Sequence, residues 1–177
     1  MKKIGYFGGA FNPPTNIHIN IAINLIKQGK LDKVIFVPVN DYYKKPELIE
    51  AKHRLNMLKL AIKGYSGLEV DDLEIKENRK LFAKDAFDII EESYHNTKSG
   101  KSDIFMIMGS DNYNKMPSWK DYEKIKDKYN YIIIDRDKKQ ISSTEIRKMI
   151  KDGNSEVMEY LPKEVYNYIK ENELYKL

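Results

Sequence analysis

Four places in this sequence gather residues able to hold or act on a phosphate. The stretch Gly5–His18 reads G-Y-F-G-G-A-F-N-P-P-T-N-I-H. It joins a short apolar run to two glycines, two prolines and a helix start beside Thr15 and Asn16. Gly8 and Gly9 allow positive φ and a close backbone approach to a ligand. The first amides of a helix have no internal partner, so they make a ready anion site. His18, in the first helical turn, adds a side-chain donor there. A structural histidine at a strand-to-loop junction carries the same letters.

The second place is the loop Asn40–Pro46, where Lys44 and Lys45 can approach a phosphate as mobile ammonium groups. A solvated basic loop has the same composition. The third is Gly109-Ser-Asp111, which follows an apolar run. A carboxylate at a strand end can accept from the vicinal hydroxyls of a ribose, or simply cap the next helix. The fourth is Ile141–Arg147, I-S-S-T-E-I-R. Ser142, Ser143 and Thr144 bring hydroxyls to the free amides of a helix start, and Arg147 lies one turn on. By itself this is a capping signature; as a site, it suits a triphosphate. Trp119 is the sole tryptophan, either a packing anchor or a stacking platform. His53 and Arg54 fall inside a helical pattern and read as structural, and nothing singles out His95.

The elements that must position these residues alternate. Apolar runs at Ile4–Phe7, Val34–Val39, Leu68–Val70, Asp103–Met108 and Tyr131–Ile134 read as strands, the longer ones buried on both faces. Helical patterns occupy Leu48–Lys63 and Leu81–Tyr94. Asn16–Gln28 is ambiguous. Ile17, Ile19, Ile21 and Ile23 alternate like a strand, whereas its length and the stop at Gly29 favour a helix. Strands alternating with helices, without hairpin turns, predict a doubly wound, Rossmann-like α/β fold. Its parallel sheet carries helices on both faces. Ligands of such sheets bind beyond the carboxyl ends of the strands, where all four places fall.

Composition sets the outer bounds. The 177 residues fit one domain, 1–177, with no repeat or linker to divide it. Hydrophobic residues at 41% and charged residues at 33% describe an ordinary globular protein. The absence of cysteine excludes disulfides and thiolate metal sites and suits a reducing cytoplasm. No stretch reads as a signal peptide or membrane helix. With 31 basic residues interleaved among 27 acidic ones, the net charge of +4 speaks for a solvated surface rather than a nucleic-acid face.

G-G-x-F-N-P-x-T-x-x-H resembles the first signature of the nucleotidyltransferase superfamily, and the T-N-x-H form is similar to nicotinamide mononucleotide adenylyltransferases. V-N-D-Y-Y-K-K-P-E-L-I followed by H-R-L-N-M, and M-G-S-D-N-Y with Trp119 downstream, resemble the same family. So does I-S-S-T-x-I-R, its more specific second signature. The C-terminal V-x-x-Y-I-x-x-x-x-L-Y resembles bacterial nicotinate-mononucleotide members. The resemblance implies transfer of AMP from ATP to a pyridine mononucleotide, nicotinate or nicotinamide, with Mg²⁺ accompanying ATP and no protein metal site. It places His18 as the catalytic donor. ATP would lie against Gly8, Gly9, Phe11, Thr15, His18, Gly109, Asp111, Ser142, Ser143, Thr144 and Arg147. The acceptor would meet Ala10, Lys44, Lys45, Trp119 and Arg136. A homo-oligomer is compatible with this reading, and neither nucleic acid nor membrane is expected as a partner.

The chain departs from the pattern twice. Ala10 stands where a serine or threonine hydroxyl usually meets the acceptor phosphate. Leu73, in Asp71-Asp72-Leu73-Glu74, stands where a second aromatic is found. Transfer to another phosphate acceptor (phosphopantetheine, or a cytidylyl transfer) and a nucleotide-binding module without turnover therefore remain alternatives.

Overall fold

The computed structural model describes residues 1–97, 100–135 and 141–176. Its strands are β1 (Lys2–Gly9), β2 (Lys33–Pro38), β3 (Leu68–Val70), β4 (Asn96–Thr97), β5 (Gly100–Gly109) and β6 (Asn130–Ile134). Its α-helices are α1 (Asn16–Lys27), α2 (Ala51–Ala61), α3 (Ala83–Tyr94), α4 (Ser110–Lys115), α5 (Tyr122–Ile125), α6 (Ser143–Lys151) and α7 (Lys163–Glu171). Five strands pair in parallel in the order β3-β2-β1-β5-β6, which is the expected Rossmann-like sheet. One detail differs from the expectation of no hairpins. The two-residue β4 pairs antiparallel with the start of β5, because Gly100 takes a φ of +115° and lets the chain double back.

Each face of the sheet buries its own core. On one side Phe7, Val34 and Phe36 pack with Ile19, Ala22 and Leu25 of α1, Met57 and Leu58 of α2, Ile146 of α6 and Val165 and Ile169 of α7. On the other, Ile4, Tyr6, Ile35, Val37 and Met106 pack with Ala86, Phe87 and Ile90 of α3 and Ile125 of α5. Adjacent strand residues such as Tyr6 and Phe7 serve opposite cores, as the two-residue period of a strand requires. The ambiguous run settles as helix, since a covering element must bury a stripe at three-to-four spacing. Its buried residues are Ile19, Ala22 and Leu25; of the alternating isoleucines only Ile19 is fully buried. Gly29, at φ +68°, follows its end. Helix α2 starts at Ala51 rather than Leu48; the Asp41 carboxylate accepts from the Ala51 amide at 2.7 Å and fixes that start.

The site follows from the strand order. From β1 the chain winds outward through β2 to β3, then returns to the other side of β1 as β5 and continues to β6. The carboxyl ends of β1 and β5 therefore face a crevice where the winding reverses, the expected binding place in an open α/β sheet. Gly8 and Gly9 end β1 opposite Val37 and Pro38, and Gly109 ends β5 opposite Ile134.

Candidate active site

The crevice holds a cleft of about 340 Å³. It is walled by Gly8, Gly9 and Phe11 from β1 and its loop, Thr15 and His18 from the start of α1, Gly109 and Asp111 after β5, and Ser142 and Ser143 at the start of α6. Nine of the residues expected at a nucleotide site, distant in sequence, thus share one hollow.

His18 has a defined orientation. Its Nδ1 accepts the Thr15 backbone N–H at 3.0 Å, with the Thr15 hydroxyl 2.9 Å away. A backbone N–H can only donate, so Nδ1 carries no proton and the neutral ring bears its proton on Nε2. The ring also stands edge-on to Phe11, centroids 5.2 Å apart. Phe11 is buried at a left-handed φ of 47°, wedged against Phe7 and Phe36. The wall beside it needs glycine. A Cβ on Gly8 would lie 2.3 Å from the Tyr6 hydroxyl, and one on Gly9 3.1 Å from the Phe11 ring.

A second cleft, of about 570 Å³, lies across the same strand ends and shares Gly8, Gly9, Ala10 and Asn112 with the first. Lys45 and Trp119, two of the residues the resemblance assigns to the acceptor, line it together with Tyr43, Glu74, Lys80, Phe82 and Lys120. Lys44 lines a neighbouring recess with Asp41 and Lys45 instead. Arg136 lies outside the described residues. Two bodies occupying the two clefts would meet at the Gly8–Ala10 backbone.

Thr144 and Arg147 do not line the first cleft. They face a separate cleft of about 550 Å³, with Glu47, Lys148, Lys151, Tyr175 and Lys176. The Arg147 guanidinium donates to Glu47 Oε2 from Nε (3.2 Å) and Nη2 (3.0 Å), and to the Asn12 carbonyl from Nη1 (3.0 Å). The serine hydroxyls are also engaged. Ser142 accepts from the Glu145 amide at 3.2 Å and donates to its carboxylate at 2.7 Å, the capping box read in the sequence. Ser143 donates to the Pro13 carbonyl at 3.2 Å, which ties α6 to the N-P-P loop.

Residues with no local signal hold the site together. Arg54, read as structural, is 0% exposed and donates to the carbonyls of Ile49 (2.9 Å) and Ala10 (3.1 Å) and to Asp41 (3.3 Å). Burial lowers its pKa, and Asp41 opposes that shift. Asn12 is a second hub: its amide donates to the Glu47 carbonyl, and its Oδ1 accepts from the Tyr175 hydroxyl. At the floor of the second cleft, buried Glu74 accepts from the Tyr6 hydroxyl at 2.6 Å. Burial raises the pKa of Glu74, with the Tyr6 bond and Arg54 opposing; burial and then the Glu74 charge raise that of Tyr6. Among the described residues no buried side-chain polar atom lacks a partner, and no three metal-ligating side chains gather.

The sequence profile of the cytidylyltransferase-like family matches residues 6–149, which takes in both signatures. Two curated relatives are each named "Probable nicotinate-nucleotide adenylyltransferase". The one from Lactococcus lactis is 33% identical over 193 residues, covering 99% of this chain and 96% of its own. The one from Endomicrobium trichonymphae is 30% identical over 198 residues, covering 99% and 100%. The chain belongs to the nicotinate-nucleotide adenylyltransferase family. The fold agrees with that of Plasmodium falciparum nicotinic acid mononucleotide adenylyltransferase complexed with NaAD. That match has TM-score 0.79 and 23% identity, over 99% of this chain and 98% of the other. For a nicotinate-nucleotide adenylyltransferase, the family match adds chemistry to a geometry already present: two clefts that meet over one glycine-bearing strand end. No helix among the described residues is long and apolar enough to cross a membrane.

Proposed function

We propose that this protein transfers the adenylyl group of ATP to nicotinate mononucleotide, or a close pyridine mononucleotide, in NAD biosynthesis. One observation carries the reading. The two clefts share the Gly8–Ala10 backbone, so ATP in the first and the acceptor in the second bring α-phosphorus and phosphate oxygen together there. The acceptor's 5′-phosphate oxygen bonds to the α-phosphorus, the bond to the bridging oxygen breaks, and pyrophosphate leaves with that electron pair. A phosphate nucleophile is already ionised near neutral pH, so no general base is required. Positioning and charge stabilisation carry the rate.

In this scheme Nε2–H of His18 donates to the phosphates as charge builds on them. The first-turn amides of α1 and α6 lie toward the same oxygens, although that of Asn16 donates to the Tyr160 carbonyl and that of Glu145 to the Ser142 hydroxyl. Asp111 accepts from the ribose, and Lys45 meets the acceptor phosphate. Ala10 offers only its backbone where a hydroxyl would add a bond. A divalent ion would come in on the phosphates of ATP, with Asp111 the carboxylate placed nearby in the first cleft. Mg²⁺ carried in this way would supply neutralisation of phosphate charge. The protein is read as an enzyme working on small molecules in the cytoplasm.

Purified protein with ATP and Mg²⁺ is expected to release pyrophosphate only when a pyridine mononucleotide is added. Binding of ATP without turnover on any acceptor would make it a binding module. Turnover confined to phosphopantetheine, or to CTP, would reassign the acceptor or the nucleotide.

Trp119 gives a second readout. It lines the second cleft, half-buried against the core of α3 and α5, and the proposal stacks it on the electron-poor pyridine ring. Such a stack contributes about 0.5–1.5 kcal/mol beyond burial. Fluorescence of the sole tryptophan should change with mononucleotide and hardly with ATP. Trp119→Ala should raise the acceptor KM several-fold and leave the ATP KM near its original value. Unfolding on substitution, or fluorescence indifferent to mononucleotide, would make Trp119 a packing anchor.

A further inference from the structure

The loop between β1 and α1 is held from outside the two clefts. Its buried Asn12 donates through Nδ2 to the Glu47 carbonyl at 2.8 Å, which leaves Oδ1 as an acceptor. The Tyr175 hydroxyl, 2.9 Å from that oxygen, is therefore the donor, reaching across 163 positions of sequence. Burial raises the pKa of Tyr175, with Arg147 and Arg54 opposing, so the hydroxyl keeps its proton at neutral pH. The Ile49 amide also points at Oδ1, but at 3.5 Å it is too long to take over. After α7 the chain turns through Glu173 (φ +52°) and Tyr175 (φ +64°). Left-handed backbone is unfavourable for a residue with a Cβ, and two such residues in three positions aim the ring at the loop. The Leu174 amide between them donates to the Ile169 carbonyl at 3.0 Å, and the side chains of Leu174 and Tyr175 pack on the core beside α7. Tyr175 lines the cleft of Arg147 and Glu47 and neither of the two assigned to substrates.

We propose that Tyr175 is a positioning residue for adenylyl transfer: its hydroxyl, through Asn12, holds in place the loop that carries Ala10 and Phe11. The inference rests on the adenylyl-transfer reading and adds to it a residue from outside both clefts. Asn12 follows directly on Phe11, whose ring stands edge-on to His18, and lies two residues from Ala10 in the wall the clefts share. With Oδ1 released, Phe11 and Ala10 can shift, and the His18 donor and the shared wall lose their register. The other walls of each cleft, Asp111 and Ser142 in the first and Lys45 and Trp119 in the second, stay where they are. Alignment of the reacting atoms suffers more than affinity, so the loss falls on kcat rather than on KM.

The test compares steady-state kinetics and thermal melts of the wild type, Tyr175→Phe, Asn12→Ala and the double variant, with ATP and nicotinate mononucleotide as substrates. Phenylalanine keeps the ring and its packing and deletes only the hydroxyl. In Tyr175→Phe kcat should fall about tenfold, with both KM values within about twofold of wild type. Its melting temperature should drop by no more than about 4 °C, the scale of one lost hydrogen bond in a chain of this size. The double variant should be no slower than Asn12→Ala, because the two residues act through one bond. An unchanged kcat in Tyr175→Phe, with or without a lowered melting temperature, would make Tyr175 a packing residue and overturn the inference. So would rate losses that multiply in the double variant, or a raised KM for one substrate with kcat intact. If Asn12→Ala does not fold, Tyr175→Phe decides the matter by itself. A wild type inactive on every mononucleotide would instead remove the proposed function, and this inference with it.

Discussion

His18→Ala lowers kcat by about 10²–10³, the effect of losing one donor aimed at transition-state charge. The size follows from the fixed tautomer. The Thr15 amide occupies Nδ1, so Nε2 holds the proton and is the atom that can donate to a phosphate. Alanine removes that donor and leaves no side chain able to replace it. The fold should suffer much less. His18 is only half-buried, and what it gives α1 is the reciprocal contact with Thr15 at the helix start, worth about 1 kcal/mol. Steady-state kinetics beside a thermal melt separates the two roles. A strongly lowered melting temperature with kcat intact would make His18 a packing histidine.

The sheet and most of one cleft were legible because they rest on local signals. Continuous apolar runs mark buried strands, and the glycines, hydroxyls and first-turn histidine sit where strand ends and helix starts must be. Arg147 shows the limit of that reading. Its position one turn into α6 is local information, but its pairing with Glu47, a hundred residues earlier in the chain, is not. Phe82 escaped because cleft residues beyond a strand end come from loops of unrelated spacing. The short β4 escaped because two residues carry no periodicity. Arg54 reads as structural from its place inside a helical pattern, but its partners, the carbonyls of Ala10 and Ile49 and the carboxylate of Asp41, carry no local signal.

Full burial makes Arg54 the position where one substitution should cost the most stability. Its guanidinium donates to two main-chain carbonyls, Ala10 in the β1–α1 loop and Ile49 before α2, and reaches Asp41 after β2. Methionine would fill much of the stem's volume but donate nothing. The carbonyls of half-buried Ala10 and Ile49 would lose their side-chain donor at about 1–3 kcal/mol each, so Arg54→Met should destabilise by about 2–6 kcal/mol. The ionic share is small, because the Asp41 side chain is 59% exposed and water screens it. Asp41→Asn should therefore cost under about 1 kcal/mol, since an amide oxygen can still accept from the Ala51 amide. Arg54→Lys should fall between, as one ammonium cannot span both carbonyls in the planar geometry of a guanidinium. Activity should follow the same order, although Arg54 touches neither cleft. The Ala10 backbone it anchors forms part of the wall the two clefts share, and a small displacement there moves both substrates off line. Urea unfolding of the three variants checks the ranking. If Arg54→Met costs no more than Asp41→Asn, the two carbonyl bonds are not what holds the loop.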